Sequence, residues 1–321
     1  MTKRILLVIA TVVLAVGLSA PAYGWDAYGH MAVAYVAYQK LTPTAKTRVN
    51  NLLKLNPKYS EWVGWVPAGT SQADTDMMVF MLAAQWADEI KGDSTYSDDG
   101  SNGGNTPDGA SSSQNTGYGD LLKHKYFHFV DTPFTNDGSA LPAIPTPNAQ
   151  ERIALFRGVL ASSTSDDQLK SYDLTWLLHL AGDVHQPLHC VTRVSSADPN
   201  GDDGGNKVKV SCAGCAPHLH TFWDDLLGTG TSAQAVIVLV IQAAKKLPAA
   251  KAGQAAKSDE KDWIAESFQA AQQTVYQPPV ATGDGPFSLT NAYQRKAKTL
   301  AKKRIALAGA RLANLINNEL K

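Results

Sequence analysis

Residues 166–190, DDQLKSYDLTWLLHLAGDVHQPLHC, constrain this chain more than any other stretch. The segment is apolar enough to be the central helix of a globular protein, yet it carries His179, Asp183, His185 and His189. His179 and Asp183 stand four apart, so they project from one helical face a turn apart. Pro187 ends or kinks the helix before His189. Buried imidazoles and carboxylates cost several kcal/mol unless they are paired or bound to a cation. Any fold that accepts this helix must bring compensating groups to it.

HLHTFWD repeats the spacing with His220 and Asp224. Each His-x-x-x-Asp pair offers imidazole nitrogen and carboxylate oxygen at a separation that suits one metal ion. A single pair reads more readily as a surface ion pair or a capped core histidine than as a metal site. Two pairs, one of them inside an apolar helix, favour metal. AAQWADEIK adds Asp88 near the end of an apolar helix, and KYFHFVD adds His128 in an aromatic, strand-like run. Alone these are an ordinary surface carboxylate and a packed histidine.

The chain's first 24 residues have the pattern of a signal peptide: Lys3 and Arg4, an apolar stretch from Ile5 to Ala20, then Ala22-Tyr23-Gly24 as a small-x-small cleavage site. The apolar stretch is short for a membrane anchor, and no stop-transfer charges follow it. Cleavage would leave residues 25–321 as an exported, soluble protein, secreted or periplasmic, with Trp25 as its first residue. A terminal α-amine has a pKa near 8 and is partly neutral at about pH 7. It can donate a lone pair, its own carbonyl oxygen can close a chelate on the same ion, and His30 supplies a third donor.

The whole chain is formally neutral, and losing Lys3 and Arg4 with the leader takes it to −2. There is no global basic footprint for a polyanion, so attraction to a phosphate-bearing substrate must be local. The chain has three cysteines, Cys190, Cys212 and Cys215, too few for a disulfide scaffold. One bridge with one thiol left over is expected in an oxidising compartment. Cys212-Ala-Gly-Cys215 fits a loop clip better than half a zinc ribbon, because no second such pair exists.

Most of the remaining chain has helical character. Helices are expected over 30–41, from Thr42 as N-cap with Pro43 in the first turn, and over 74–90, 146–161, 166–190 and 289–319. Residues 92–120 are rich in Gly, Ser, Asn and Asp, and 132–147 in Pro. Both read as long loops, which in compact domains often cover a binding site. NKVKVSC (206–212) alternates and suits one strand of a small β-hairpin. Trp65, Trp176 and Trp263 read as core, and His124, His185 and His218 as structural or supporting. With no internal repeat and no linker, the expectation is one mainly α domain.

Taken in order, WDAYGH, WADEIK, HFVD, HLAGDVHQPLH, GGN and HLHTFWD resemble the zinc-dependent single-strand-specific nucleases, a secreted fungal and plant nuclease and 3′-nucleotidase family. The resemblance implies a helical fold related to zinc phospholipase C and three zinc ions. Asp88, His128, His179 and Asp183 would hold one ion. Asp183 would bridge to a second ion on Trp25 and His30, and His189, His220 and Asp224 would hold the third. The three carboxylates leave about +3 of local charge uncompensated, which explains how a protein without a basic footprint holds a phosphodiester.

The same resemblance implies cleavage of single-stranded RNA and DNA, and of 3′-nucleotides, to 5′-phosphate products. Asp88 would orient the nucleophile and Lys91 would stabilise charge on the phosphoryl oxygens. Phe129 would stack on a base whose edge meets Asp131 and Asn206, with Gly204 allowing close backbone approach. No stable protein partner is implied, and no membrane after cleavage of the leader. Two other readings compete. A zinc phospholipase C would carry glutamate where this chain has Asp224, and its first histidine would lie farther from the terminal Trp than His30 does. A non-catalytic exported zinc-binding protein would need neither Lys91 nor a base platform.

Overall fold

A computed structural model describes residues 25–320 apart from 110, 111, 113, 230–232, 281 and 282. The segment read as a signal peptide lies outside the described residues. The chain is mainly helical, as expected. Its α-helices of six or more residues, among the described residues, are α1 (Ala27–Lys40), α2 (Pro43–Leu53), α3 (Tyr59–Trp65), α4 (Gln72–Ala83), α5 (Trp86–Gly92), α6 (Ala149–Ala161), α7 (Asp167–Asp183), α8 (Leu219–Asp224), α9 (Ala233–Ala244), α10 (Glu260–Ala270) and α11 (Asn291–Glu319).

Caps set most of the helix starts. The Asp26 side chain accepts from the Tyr28 amide and begins α1 three residues before the periodicity suggests. Thr42 caps α2 with Pro43 just inside it. Ser71 caps α4, Asn148 opens α6 in a reciprocal capping box with Glu151, and Asp166 and Thr290 cap α7 and α11. Such side chains satisfy amides that have no partner within their own helix.

α7 is the central element, buried from Lys170 to Asp183. It packs against α6, α11, α2, α1 and α5, while α1 bridges α11, α9 and α4. Trp176 and Trp263 are core residues, and Trp65 is half-buried against the core.

Four local features differ from the sequence reading. The helix expected over 74–90 is two helices, broken at Ala84 and Gln85. His128 closes a 3-10 turn, Lys125–His128, and Phe129 after it is extended. α3, α9 and α10 were not individually legible, and the alternating segment 206–212 contributes only the short strand Val210–Ser211. That strand pairs in parallel with Phe287–Ser288, and its return is a lone antiparallel bridge between Lys209 and His218. Cys212 and Cys215 form a disulfide that clips this loop, and Cys190 is a buried free thiol whose pKa burial pushes up to about 12.

Residues 92–120 are anchored at several points. Tyr118 shares hydrogen bonds with Asn56, Ser171 and Thr175, and Asn115 donates to Asp173. Within the loop, Gly100 faces Pro107 and Ser101 faces Thr106 in antiparallel bridges, so the chain folds back as a small hairpin.

Candidate metal centre

The end of α7 gathers the expected residues. His30 comes from α1, Asp88 and Lys91 from α5, and His128 from the 3-10 turn. His179 and Asp183 come from α7 itself, His189 from the turn Pro187–Cys190, and His220 and Asp224 from α8. All five imidazoles and all three carboxylates are buried. Their atoms fall into three groups that could each hold a metal ion: His30, Asp88 and His179; His128, His179 and Asp183; and His189, His220 and Asp224. The last group coincides with one expected ligand set. The first two overlap through His179, whose ring stacks on His30 with centroids 3.8 Å apart.

Backbone carbonyls fix the ring tautomers. His179 Nδ1 donates to the Ala84 carbonyl at 2.8 Å, His189 Nδ1 to the His128 carbonyl at 2.8 Å, and His220 Nδ1 to the Gly204 carbonyl at 2.7 Å. In a neutral ring, each such bond leaves the lone pair on Nε2. This is the arrangement by which proteins orient metal-binding histidines.

His179 Nε2 then lies 3.1 Å from Asp183 Oδ2 and 3.5 Å from Asp88 Oδ1. His128 Nδ1 lies 3.0 Å from Asp183 Oδ2, and His30 Nε2 lies 3.4 Å from Asp183 Oδ1. His220 Nε2 lies 3.6 Å from Asp224 Oδ2, whose other oxygen accepts from Gln186 Nε2 at 2.8 Å.

The donor set fits cations. Both nitrogens of His30, His128 Nε2, Asp183 Oδ1 and Asp224 Oδ2 are buried with no hydrogen-bond partner. Orphaned atoms at this density are rare in native interiors. Nitrogen and oxygen donors in clusters of this kind suit zinc.

Burial opposes protonation of His179, but Asp183 and Asp88 outweigh it and raise its pKa above the ordinary 6.5; three other rings shift the other way. Burial, then the neighbouring His179, lowers His30 to about 4; burial and Lys91 lower His128 to about 3; burial and His189 lower His220 to about 3. All three are therefore neutral at physiological pH, the state in which imidazole binds metal. Burial opposes ionisation of Asp183, but the surrounding histidines hold it well below the usual carboxylate range. Asp224, by contrast, is pushed well above that range by burial.

Trp25 is fully buried, and its indole N–H donates to the Gly182 carbonyl at 3.1 Å. That bond ties the start of the described chain to α7. Lys91 Nζ pairs with Asp88 Oδ1 at 2.7 Å. One cleft is lined by Lys91, His128, His189 and His220 together with Phe129, Asp131, Gly204 and Asn206. Burial and the carboxylates of Asp203 and Asp202 raise Asp131 to about 7. Asn206 Nδ2 donates to the Asp203 carbonyl at 2.8 Å.

The other histidines serve elsewhere. His124 bonds Asp99 and Asp120, His185 accepts from Arg311 and donates to the Ala181 carbonyl, and His218 precedes α8 as its N-cap residue. Sequence reasoning missed Gln186, the Ala84 carbonyl and Gly182. A Cβ on Gly182 would lie 2.7 Å from His30 Nδ1. Gln186 carried a readable signal, an amide set in an apolar run beside two histidines; the Ala84 carbonyl carried none. Residues Asn102, Gly103, Asn105 and Thr106 of loop 92–120 also line the cleft, in keeping with a long loop that covers a site.

A helical protein with three buried His/Asp groups, two of which send residues to the wall of one cleft, offers places where metal ions could bind. This chain belongs to the S1/P1 nuclease family: the family profile S1/P1 Nuclease matches residues 25–321. It is similar to Nuclease S1 of Aspergillus oryzae, 25% identical over 213 residues, which are 63% of this chain and 54% of that protein. It is also similar to Endonuclease 4 of Arabidopsis thaliana, 30% identical over 127 residues (34% of this chain, 40% of that protein). Endonuclease 3 of Arabidopsis thaliana is 36% identical over 73 residues, 22% of each chain. The matched stretches thus span about half, or less, of these relatives' lengths.

Proposed function

We propose that this protein is a zinc-dependent phosphodiesterase that cleaves single-stranded RNA and DNA to 5′-phosphate products and also acts on 3′-nucleotides. Trp25, His30, Asp88, His128, His179, Asp183, His189, His220 and Asp224 would hold three zinc ions. The observation that carries the reading is the set of imidazoles anchored through Nδ1 on backbone carbonyls, with buried carboxylates beside them and with His189 and His220 lining the same cleft as Phe129. Family membership supplies the nucleic-acid substrate, and the leader pattern of residues 1–24 favours a secreted or periplasmic protein.

When bound, zinc supplies Lewis acidity toward phosphoryl oxygens and lowers the pKa of water. The chain's own residues do the rest. Phe129 gives a face on which one base can lie, and only an unstacked base reaches it, which single strands offer cheaply. Asp131 and Asn206 hydrogen-bond that base's edge, while Gly204 leaves room for it and keeps its carbonyl on His220. Asp88 accepts a hydrogen bond from the attacking nucleophile and so orients it. The Lys91 ammonium donates to phosphoryl oxygens as negative charge builds there.

A product assay tests this. Metal-loaded protein should cut a single-stranded oligonucleotide at least a hundredfold faster than the same sequence in a duplex, leave 5′-phosphate ends, lose activity to chelator and regain it with zinc. Hydrolysis of phosphatidylcholine in place of nucleic acid, or zinc binding with no phosphoesterase activity, overturns the proposal.

A further inference from the structure

The cleft has a side that the base platform and the metal ligands leave unused. Asn102, Gly103, Asn105 and Thr106 line it alongside Lys125, and all four belong to the hairpin of residues 100–107. The hairpin is built to hold a shape. Its strands pair through Gly100 with Pro107 and Ser101 with Thr106. Asn102, Gly103 and Gly104 are left-handed, with φ of 52°, 66° and 88°. Gly100 approaches the Thr106 carbonyl too closely for any side chain. Lys125 Nζ fixes the tip, donating to the Gly103 carbonyl at 2.8 Å and pairing with Asp98 at 2.9 Å.

Asn102 and Asn105 are exposed, and neither side chain is engaged in a hydrogen bond among the described residues. Two carboxamides are thus presented to the cleft on a fixed turn, with their donors unspent. Residues 102–106 include no aromatic ring, so the tip cannot stack on a base. Amide donors on a rim of this kind match phosphate and sugar oxygens, which polar side chains contact without reading sequence.

We propose that the hairpin tip is a second nucleotide subsite, where the Asn102 and Asn105 amides donate to phosphate and sugar oxygens of the nucleotide adjoining the one on Phe129. The inference rests on the nuclease reading and extends it: the cleft favours a strand over a mononucleotide. A preformed tip loses little conformational freedom on binding, so its contacts are retained in affinity.

The test is the double variant N102G/N105S. Glycine keeps the left-handed turn while removing the amide, and serine shortens the second. Two quantities are read in metal-loaded full-length mature protein: kcat/KM for a dinucleotide, and the inhibition constant of a 3′-mononucleotide against that reaction. The dinucleotide value should fall about five- to tenfold, as the loss of two hydrogen bonds implies, and the mononucleotide constant should stay within about twofold. Equal losses in both, or no loss in either, overturn the subsite while leaving the nuclease reading intact. A wild-type protein that cuts no single-stranded nucleic acid overturns both.

Discussion

The Nε2 atoms of His189 and His220 lie 3.1 Å apart, and each ring spends its Nδ1 proton on a backbone carbonyl. Two lone pairs at that separation repel unless a cation or a shared proton lies between them. Gln186 holds the third member of the cluster, donating to Asp224 Oδ1 at 2.8 Å while its own carbonyl accepts from the Leu188 amide. Gln186→Leu should therefore weaken zinc binding at this cluster about ten- to a hundredfold, the usual effect of losing such a support. Zinc titration of metal-free protein measures it. Unchanged affinity at all sites would mean that Gln186 does not hold the carboxylate for metal.

Gly182 lies where α7 meets α1. Its carbonyl accepts from the Trp25 indole, and an added Cβ would stand 2.7 Å from His30 Nδ1. Gly182→Ala is expected to displace His30, cost about 1–3 kcal/mol in overpacking and reduce activity at least tenfold. Gly64→Ala is the control, because nothing lies within 4 Å of that Cβ in α3. It should be neutral or raise Tm slightly. Thermal melts and oligonucleotide cleavage on both variants make the comparison, and equal behaviour would rule out a steric role for Gly182.

Stability should also depend on His124. Burial opposes its protonation, but hydrogen bonds to Asp120 and Asp99 outweigh that and raise its pKa above the ordinary 6.5. Asp99, despite its own burial, is held below 3.8 by the same pair. A raised histidine pKa stabilises the fold fully below about pH 6.5, and that contribution is lost as pH climbs through the folded value. The Asp99 contribution is present above about pH 3.8 and is lost as pH falls through its depressed value. The Tm difference between wild type and His124→Asn should be largest near pH 5–6 and narrow toward about pH 8. A difference that widens with rising pH contradicts this pairing.

The terminus offers a separate prediction. A chain beginning at Trp25 presents a free amine, whereas one extra glycine before Trp25 turns that nitrogen into an amide and removes a donor. The extended form should bind one zinc ion fewer with normal affinity and lose most of its activity, while its far-UV circular dichroism stays unchanged. Full activity in the extended form excludes the amine as a ligand.

Much of the centre was legible because its cost is written locally. His179 and Asp183 in an apolar helix, and His220 and Asp224 at the same spacing, announce buried charge that needs a partner. The cap at Thr42 was equally readable, since it lies just before a periodic run. The break at Ala84 was not. AAQWADEI is uniformly compatible with helix, and the interruption is visible only through the carbonyl that His179 takes. The two overlapping His/Asp groups were hidden for a similar reason, because the stacking of His30 on His179 depends on how α1 crosses α7. The hairpin at 100–107 looked like featureless loop, although Asn102-Gly103 is a dipeptide that favours left-handed turns.

The most direct measurement is the metal content of protein that begins at Trp25, purified, saturated with zinc and freed of excess ion, read by mass spectrometry under native conditions. Three zinc ions per chain are expected, falling to two in Asp224→Asn. Fewer than three ions in the saturated wild type would contradict the trinuclear centre.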